Sequence, residues 1–103
     1  MKIYNVTAES YSKEVEKFSG TVLIDFFSER CTPCKMLSPI IESVATDAGR
    51  GVKVCKVNVE NEKDLAKKFG IMSVPTLVVL KNGEVKNRSI GVTGKKAILD
   101  MLN

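Results

Sequence analysis

Hydrophobic positions along the chain alternate between strand-like and helix-like spacing. The run Thr21-Val22-Leu23-Ile24-Asp25-Phe26-Phe27 is apolar on both faces apart from Asp25, the pattern of a strand covered on two sides. Leu37, Ile40, Ile41, Val44, Ala45 and Ala48 then recur at helical spacing and predict an amphipathic helix over about 32–49, ended by Gly49 and Gly51. Pro39 lies inside it, removes one backbone hydrogen bond and predicts a kink rather than a break. Residues 52–59 alternate valine with polar residues for most of their length and predict a strand. Glu60, Glu62 and Asp64 precede Lys67 and Lys68, charges that suit the dipole of a short helix ending at Gly70. Residues 76–81 predict another strand, Asn82-Gly83 a two-residue hairpin turn, and 84–91 a weaker returning strand. Thr93 is placed to cap a last helix whose apolar face is Ala97, Ile98, Met101 and Leu102. At the start, residues 2–6 predict a strand, and Tyr11, Val15 and Phe18 mark a helix. The order β-α-β-α-β-α-β-β-α implies an α/β fold, a sheet with helices on both faces.

Length permits one such unit. A chain of 103 residues buries about two-thirds of its surface on folding, enough for one core without structural disulfides or a metal, so residues 1–103 read as one domain. The longest unbroken apolar run is four residues, Leu77 to Leu80, far short of the ~18 a membrane span needs. The N-terminal residues carry no apolar stretch like a secretion signal, so a cytoplasmic setting is expected. The net charge of +4 comes from basic residues scattered from Lys2 to Lys96 among acidic neighbours, and no nucleic-acid motif accompanies them. Nucleic acid and membrane are therefore not the expected partners.

Three cysteines, an odd number without an export signal, speak against a structural disulfide framework. Cys31 and Cys34 stand two residues apart where the buried strand gives way to the long helix; Cys55 is alone on a predicted strand. The first turn of a helix presents unpaired N–H groups and the positive end of the dipole, both of which stabilise an anion. A cysteine there loses its proton more easily, and the thiolate is the form that attacks disulfides. Pro33 fits the first turn, where a missing N–H costs nothing. Three residues further along, Cys34 comes round beside Cys31, so one sulfur can attack and the other resolve. Zinc would need four ligands, and the chain has no histidine and no second Cys-X-X-Cys. Asp25, a carboxylate in a strand apolar on both faces, should have a raised pKa and be poised for proton transfer. Cys55 is expected to be a small buried hydrophobe.

The stretch Val22 to Phe27 followed by Cys31 to Met36 resembles the active-site segment of the thioredoxin family. Phe69-Gly70-Ile71-Met72-Ser73-Val74-Pro75-Thr76 and Lys81-Asn82-Gly83-Glu84 resemble the family's later landmarks, in the same order. The resemblance spans essentially the whole chain. It implies a central five-stranded mixed sheet flanked by four helices, and a monomeric oxidoreductase that reduces protein disulfides by dithiol exchange. It also implies that no cofactor beyond a redox-active Cys31–Cys34 disulfide is required. Carried over by position, Cys31 is the exposed attacking thiol and Cys34 the resolving one. Asp25 is the buried aspartate beneath the disulfide and takes the Cys34 proton; Lys56 lies near that carboxylate and moderates its charge. Pro75 is a cis-proline facing the cysteines. Val74 offers backbone groups to an extended substrate segment, and Gly91 keeps that docking surface low. The partners implied are a flavin- or ferredoxin-dependent thioredoxin reductase and disulfide-bearing proteins such as ribonucleotide reductase or peroxiredoxins.

Two positions depart from the family. Arg30 replaces the tryptophan before the first cysteine and should lower the thiolate's pKa and favour acidic partners. Thr32 replaces the glycine within the motif; it adds a β-branch and a hydroxyl able to bond a sulfur. Both should stabilise the reduced form, which makes the expected potential roughly 10 to 40 mV less negative than the thioredoxin reference of about −270 mV. A glutaredoxin-like reductase fed by glutathione is the rival enzyme reading, but glutaredoxins usually carry Pro-Tyr between the cysteines. A non-catalytic scaffold is the rival from another class, and the retention of both cysteines with Asp25 and Pro75 weighs against it.

Overall fold

The computed structural model describes residues 2–103; Met1, where the expected domain begins, lies outside them. Five strands form one mixed sheet: β1 (Ile3–Asn5), β2 (Thr21–Phe27), β3 (Val52–Asn58), β4 (Thr76–Lys81) and β5 (Glu84–Ile90), in spatial order β1-β3-β2-β4-β5. β3 runs parallel to β1 and β2, while β4 is antiparallel to β2 and to β5. The central strand β2 is buried along Val22–Phe26, as its two-sided apolar pattern requires.

Each face of the sheet has its own core. Val22, Ile24, Phe26, Cys55, Val57, Val78 and Leu80 point to one side, where Tyr11, Val15, Leu65 and Phe69 cover them. Leu23, Val54, Leu77 and Val79 point to the other, under Leu37, Ile41 and Val44 of helix α1 (Thr32–Asp47) and under Ile98 and Leu102 at the C-terminal end. Asp25, two residues beyond Leu23, therefore faces the α1 side. Helices α2 (Lys63–Lys68) and α3 (Lys95–Met101) complete the layers. The hairpin turn is as expected: Asn82 and Gly83 both take positive φ (50° and 83°), the conformation that two-residue turns favour and that asparagine and glycine tolerate.

Three local expectations are corrected. The first helical segment is a five-residue π-type turn, Ser12–Glu16, closed by Lys17 N–H to the Ser12 carbonyl at 2.9 Å. Its geometry follows from Lys53, whose ammonium takes the Glu14 carbonyl at 3.1 Å, while the Phe18 N–H turns to Val15. Thr93 does not cap α3. Gly94 occupies that position, and the Thr93 hydroxyl pairs with Ser89 at 2.9 Å instead. Ala97 is exposed, and Leu99 packs against the core in its place.

Candidate active site

Helix α1 begins directly beneath the thiol pair. Cys31 is its N-cap residue, with extended backbone (φ −96°, ψ 109°), and Pro33 sits in the first turn where no N–H is needed. The Cys31 Sγ accepts a hydrogen bond from the Cys34 backbone N–H at 3.1 Å, so an orphan donor of the helix mouth points at the leading sulfur. Cys31 and Cys34 are joined as a disulfide with Cα atoms 5.2 Å apart. Exposure differs between the two: Cys31 is half-buried at the surface, whereas Cys34 is 5% exposed. The Thr32 hydroxyl is not the group that reaches Cys31; the Cys34 N–H is, and Thr32 itself faces solvent.

The loop before β4 closes over the pair from 43 residues away. Its Val74 carbonyl lies 3.7 Å from the Cys31 sulfur, and the Val74–Pro75 bond is cis. Pro75 is buried, and its carbonyl accepts the Gly91 N–H at 2.9 Å, which brings Gly91 beside the loop. Gly91 has φ +90° with open space where a Cβ would stand. Around this face Met72 is 93% exposed, and Ile90 and Met36 are also exposed.

Asp25 lies beneath. It is 1% exposed, and its Oδ1 has no hydrogen-bond partner. Burial pushes its pKa up to about 6, with Lys56 pulling the other way. Lys56 stands directly across the β2–β3 pairing from Asp25, its ammonium 4.6 Å from the centre of the Phe27 ring. A cavity of about 330 Å³ lies beside the start of the helix, lined by Phe27, Ser28, Cys34, Lys35, Ser38 and Lys56 among others. Cys34 lines it and Cys31 does not, so the inner cysteine borders open space of its own.

Cys55 is fully buried on the opposite face of the sheet, and burial pushes its thiol up to about 12. It does not join the pair. Among the described residues no group of three or more potential metal ligands gathers.

Two residues escaped the sequence reading. Ser28 donates to Glu60 Oε1 at 2.7 Å across 32 positions of sequence, and Ser38 lines the cavity one helical turn beyond Cys34. Glu60 lies ahead of α2, which starts at Lys63; Glu62 is the N-cap residue and Asp64 is in the first turn, as expected, though the Glu62 side chain accepts the Ala8 N–H at 2.8 Å rather than a helix N–H. The i to i+4 spacing from Cys34 could have flagged Ser38, but no local signal announces the long-range pair.

The Thioredoxin family profile matches residues 2–103. A thioredoxin of Rickettsia bellii is 41% identical over 99 residues, covering 96% of this chain and 94% of the relative. One from Bacillus subtilis is 40% identical over 103 residues, covering 100% and 97%. A solved variant thioredoxin from Halobacterium salinarum superposes with a TM-score of 0.88 at 30% identity, covering 98% of this chain and 88% of the other.

Proposed function

Because the chain belongs to the thioredoxin family, protein-disulfide oxidoreductases that work with a thioredoxin reductase and disulfide substrates, we propose that Cys31 attacks and Cys34 resolves. The observation that carries this division is the placement of one reachable and one buried sulfur at the mouth of α1. In the reduced protein the Cys31 thiolate attacks one sulfur of a substrate disulfide. That S–S bond breaks, a mixed disulfide forms, and the displaced substrate sulfur leaves as a thiolate that takes a proton from solvent. Asp25 then receives the Cys34 proton, for which a carboxylate titrating near 6 is suited at neutral pH, and Lys56 holds down the cost of its charge. The Cys34 sulfur attacks Cys31, the mixed bond breaks, and the substrate departs with both sulfurs reduced. Two electrons have passed to the substrate, and the chain retains a Cys31–Cys34 disulfide.

Substrate docks beside Val74, which offers its backbone groups to an extended segment, with Pro75 and Gly91 keeping the approach open. Arg30, Thr32 and Pro33 form the exposed rim next to Cys31. The thiols themselves carry the electrons, so the reaction needs no resident cofactor. Recharging falls to a flavin- or ferredoxin-dependent reductase, and protein disulfides such as those of ribonucleotide reductase or peroxiredoxins are the substrates. The chain acts as a monomer in the cytoplasm, where thiols stay reduced. No described helix is long and apolar enough to cross a membrane.

Insulin reduction by dithiothreitol tests the reading: the protein should accelerate it, and Cys31→Ser should abolish the acceleration. No acceleration by the intact chain would leave only a scaffold. Activity with glutathione but not with a thioredoxin reductase would make it glutaredoxin-like.

A further inference from the structure

The turn that delivers Cys31 to the helix is tied at one point to a distant carboxylate. Ser28 leaves the end of β2 and donates its hydroxyl to Glu60 at 2.7 Å. The same oxygen faces the Arg30 N–H at 3.4 Å, and the Ser28 carbonyl accepts the Cys31 N–H at 3.3 Å. Glu60 is itself fixed, because its backbone N–H donates to Asn58 Oδ1 at 2.9 Å and the neighbouring Val59 N–H to the Phe27 carbonyl at 2.9 Å. The carboxylate is held below the usual range by the Ser28 hydrogen bond first, then by the Glu29 backbone N–H and the charges of Arg30 and Lys63. Because the Ser28 hydroxyl meets both the Glu60 carboxylate and the Arg30 backbone N–H, the negative charge of Glu60 sits at the turn that carries Arg30, the cation nearest the leading cysteine in sequence.

We propose that Glu60 is a positioning and specificity residue: with Ser28 it pins the 28–30 turn that presents Cys31, and its charge offsets that of Arg30 toward incoming anionic substrates. The proposal rests on Cys31 being the attacking thiol. An exposed arginine beside a thiolate draws acidic disulfide segments, and a fixed anion at the same rim moderates that preference, so that neutral partners remain competitive. Exposed charges act this way mainly at low salt, since screening shortens their reach.

Alkylation of reduced protein by iodoacetate and by iodoacetamide, followed at Cys31 by mass spectrometry, separates the two contributions. Their rate ratio cancels the thiolate fraction and reports the local charge that an anionic reagent meets. At low salt, Glu60→Gln should raise the iodoacetate-to-iodoacetamide ratio by about two- to five-fold, because the amide still accepts from Ser28 but carries no charge. Glu60→Asp should hold the ratio near wild type, high salt should erase the gain, and adding Arg30→Gln should remove it. Ser28→Ala should leave the ratio in place and speed amide exchange at Glu29, Arg30 and Cys31 several-fold. A Glu60→Gln ratio equal to wild type overturns the proposal, as does a gain that survives Arg30→Gln, or unchanged exchange in Ser28→Ala. The labelling needs no turnover. A wild type that labels in this way but does not reduce insulin disproves the enzymatic reading alone.

Discussion

Asp25 converts burial into a measurable pH dependence. Its folded-state pKa near 6 lies above the ordinary 3.8, and the larger cause is desolvation. Between those values the folded chain holds more protons than the unfolded one. Stability therefore falls as pH rises from about 4 to about 6, and the whole cost, about 2 to 3 kcal/mol, persists above that window. Asp25→Asn should flatten the profile, stabilising the oxidised protein by that amount at pH 7 and little at pH 4, in urea melts across pH. The same change should slow release of the mixed disulfide at least tenfold at pH 7, read by single-turnover quenching. The fully buried Cys55 should resist alkylation in the folded, reduced chain until denaturant opens it; rapid labelling of three thiols would contradict that. With the Thr32 hydroxyl turned to solvent, the Arg30 charge and the Thr32 β-branch should leave the potential roughly 10 to 40 mV less negative than about −270 mV, by equilibration with a thiol buffer. A value at or below the reference contradicts it. At this scale Asp25 was legible because it is the single carboxylate in an apolar run. Glu60 was not, since its partner lies 32 positions away and nothing nearby distinguishes it from a helix-dipole residue.

Elements were legible where one physical rule dominated. β2, β4 and the hairpin turn follow directly from two-sided apolar runs and from an Asn-Gly pair that accepts positive φ. Gly83→Val should therefore destabilise the fold by about 1 to 2 kcal/mol in urea melts while sparing disulfide reduction, because the turn lies at the far end of β4 from Pro75. Helix α1 is anchored through Leu37, Ile41 and Val44, all fully buried. Ile41→Ala should cost about 2 to 5 kcal/mol and loosen the helix that carries both sulfurs. What stayed illegible was set by tertiary hydrogen bonds. Lys53 captures the Glu14 carbonyl and widens the first helical turn, and Ser89 claims the Thr93 hydroxyl that local rules would give to α3.

Across the whole molecule, the site exists because sheet order brings distant segments together. β4 pairs antiparallel to β2, which sets the loop preceding Thr76 over the end of β2 and the start of α1. Periodicity cannot supply that adjacency. That Pro75 faces the cysteines, and that Val74 and Gly91 border the same surface, were expected only through the family resemblance. The thiol pair, by contrast, was readable from elementary helix electrostatics, because strand, N-cap, proline and second cysteine are contiguous. The central claim is that the outer sulfur attacks while the inner one completes the exchange. It is tested most directly by mixing reduced Cys34→Ser protein with a disulfide-linked peptide and mapping the adduct by mass spectrometry. One peptide should be retained, bonded to Cys31, and Cys31→Ser should retain none. Adduct on Cys55, or equal capture by the Cys31→Ser chain, would contradict the account.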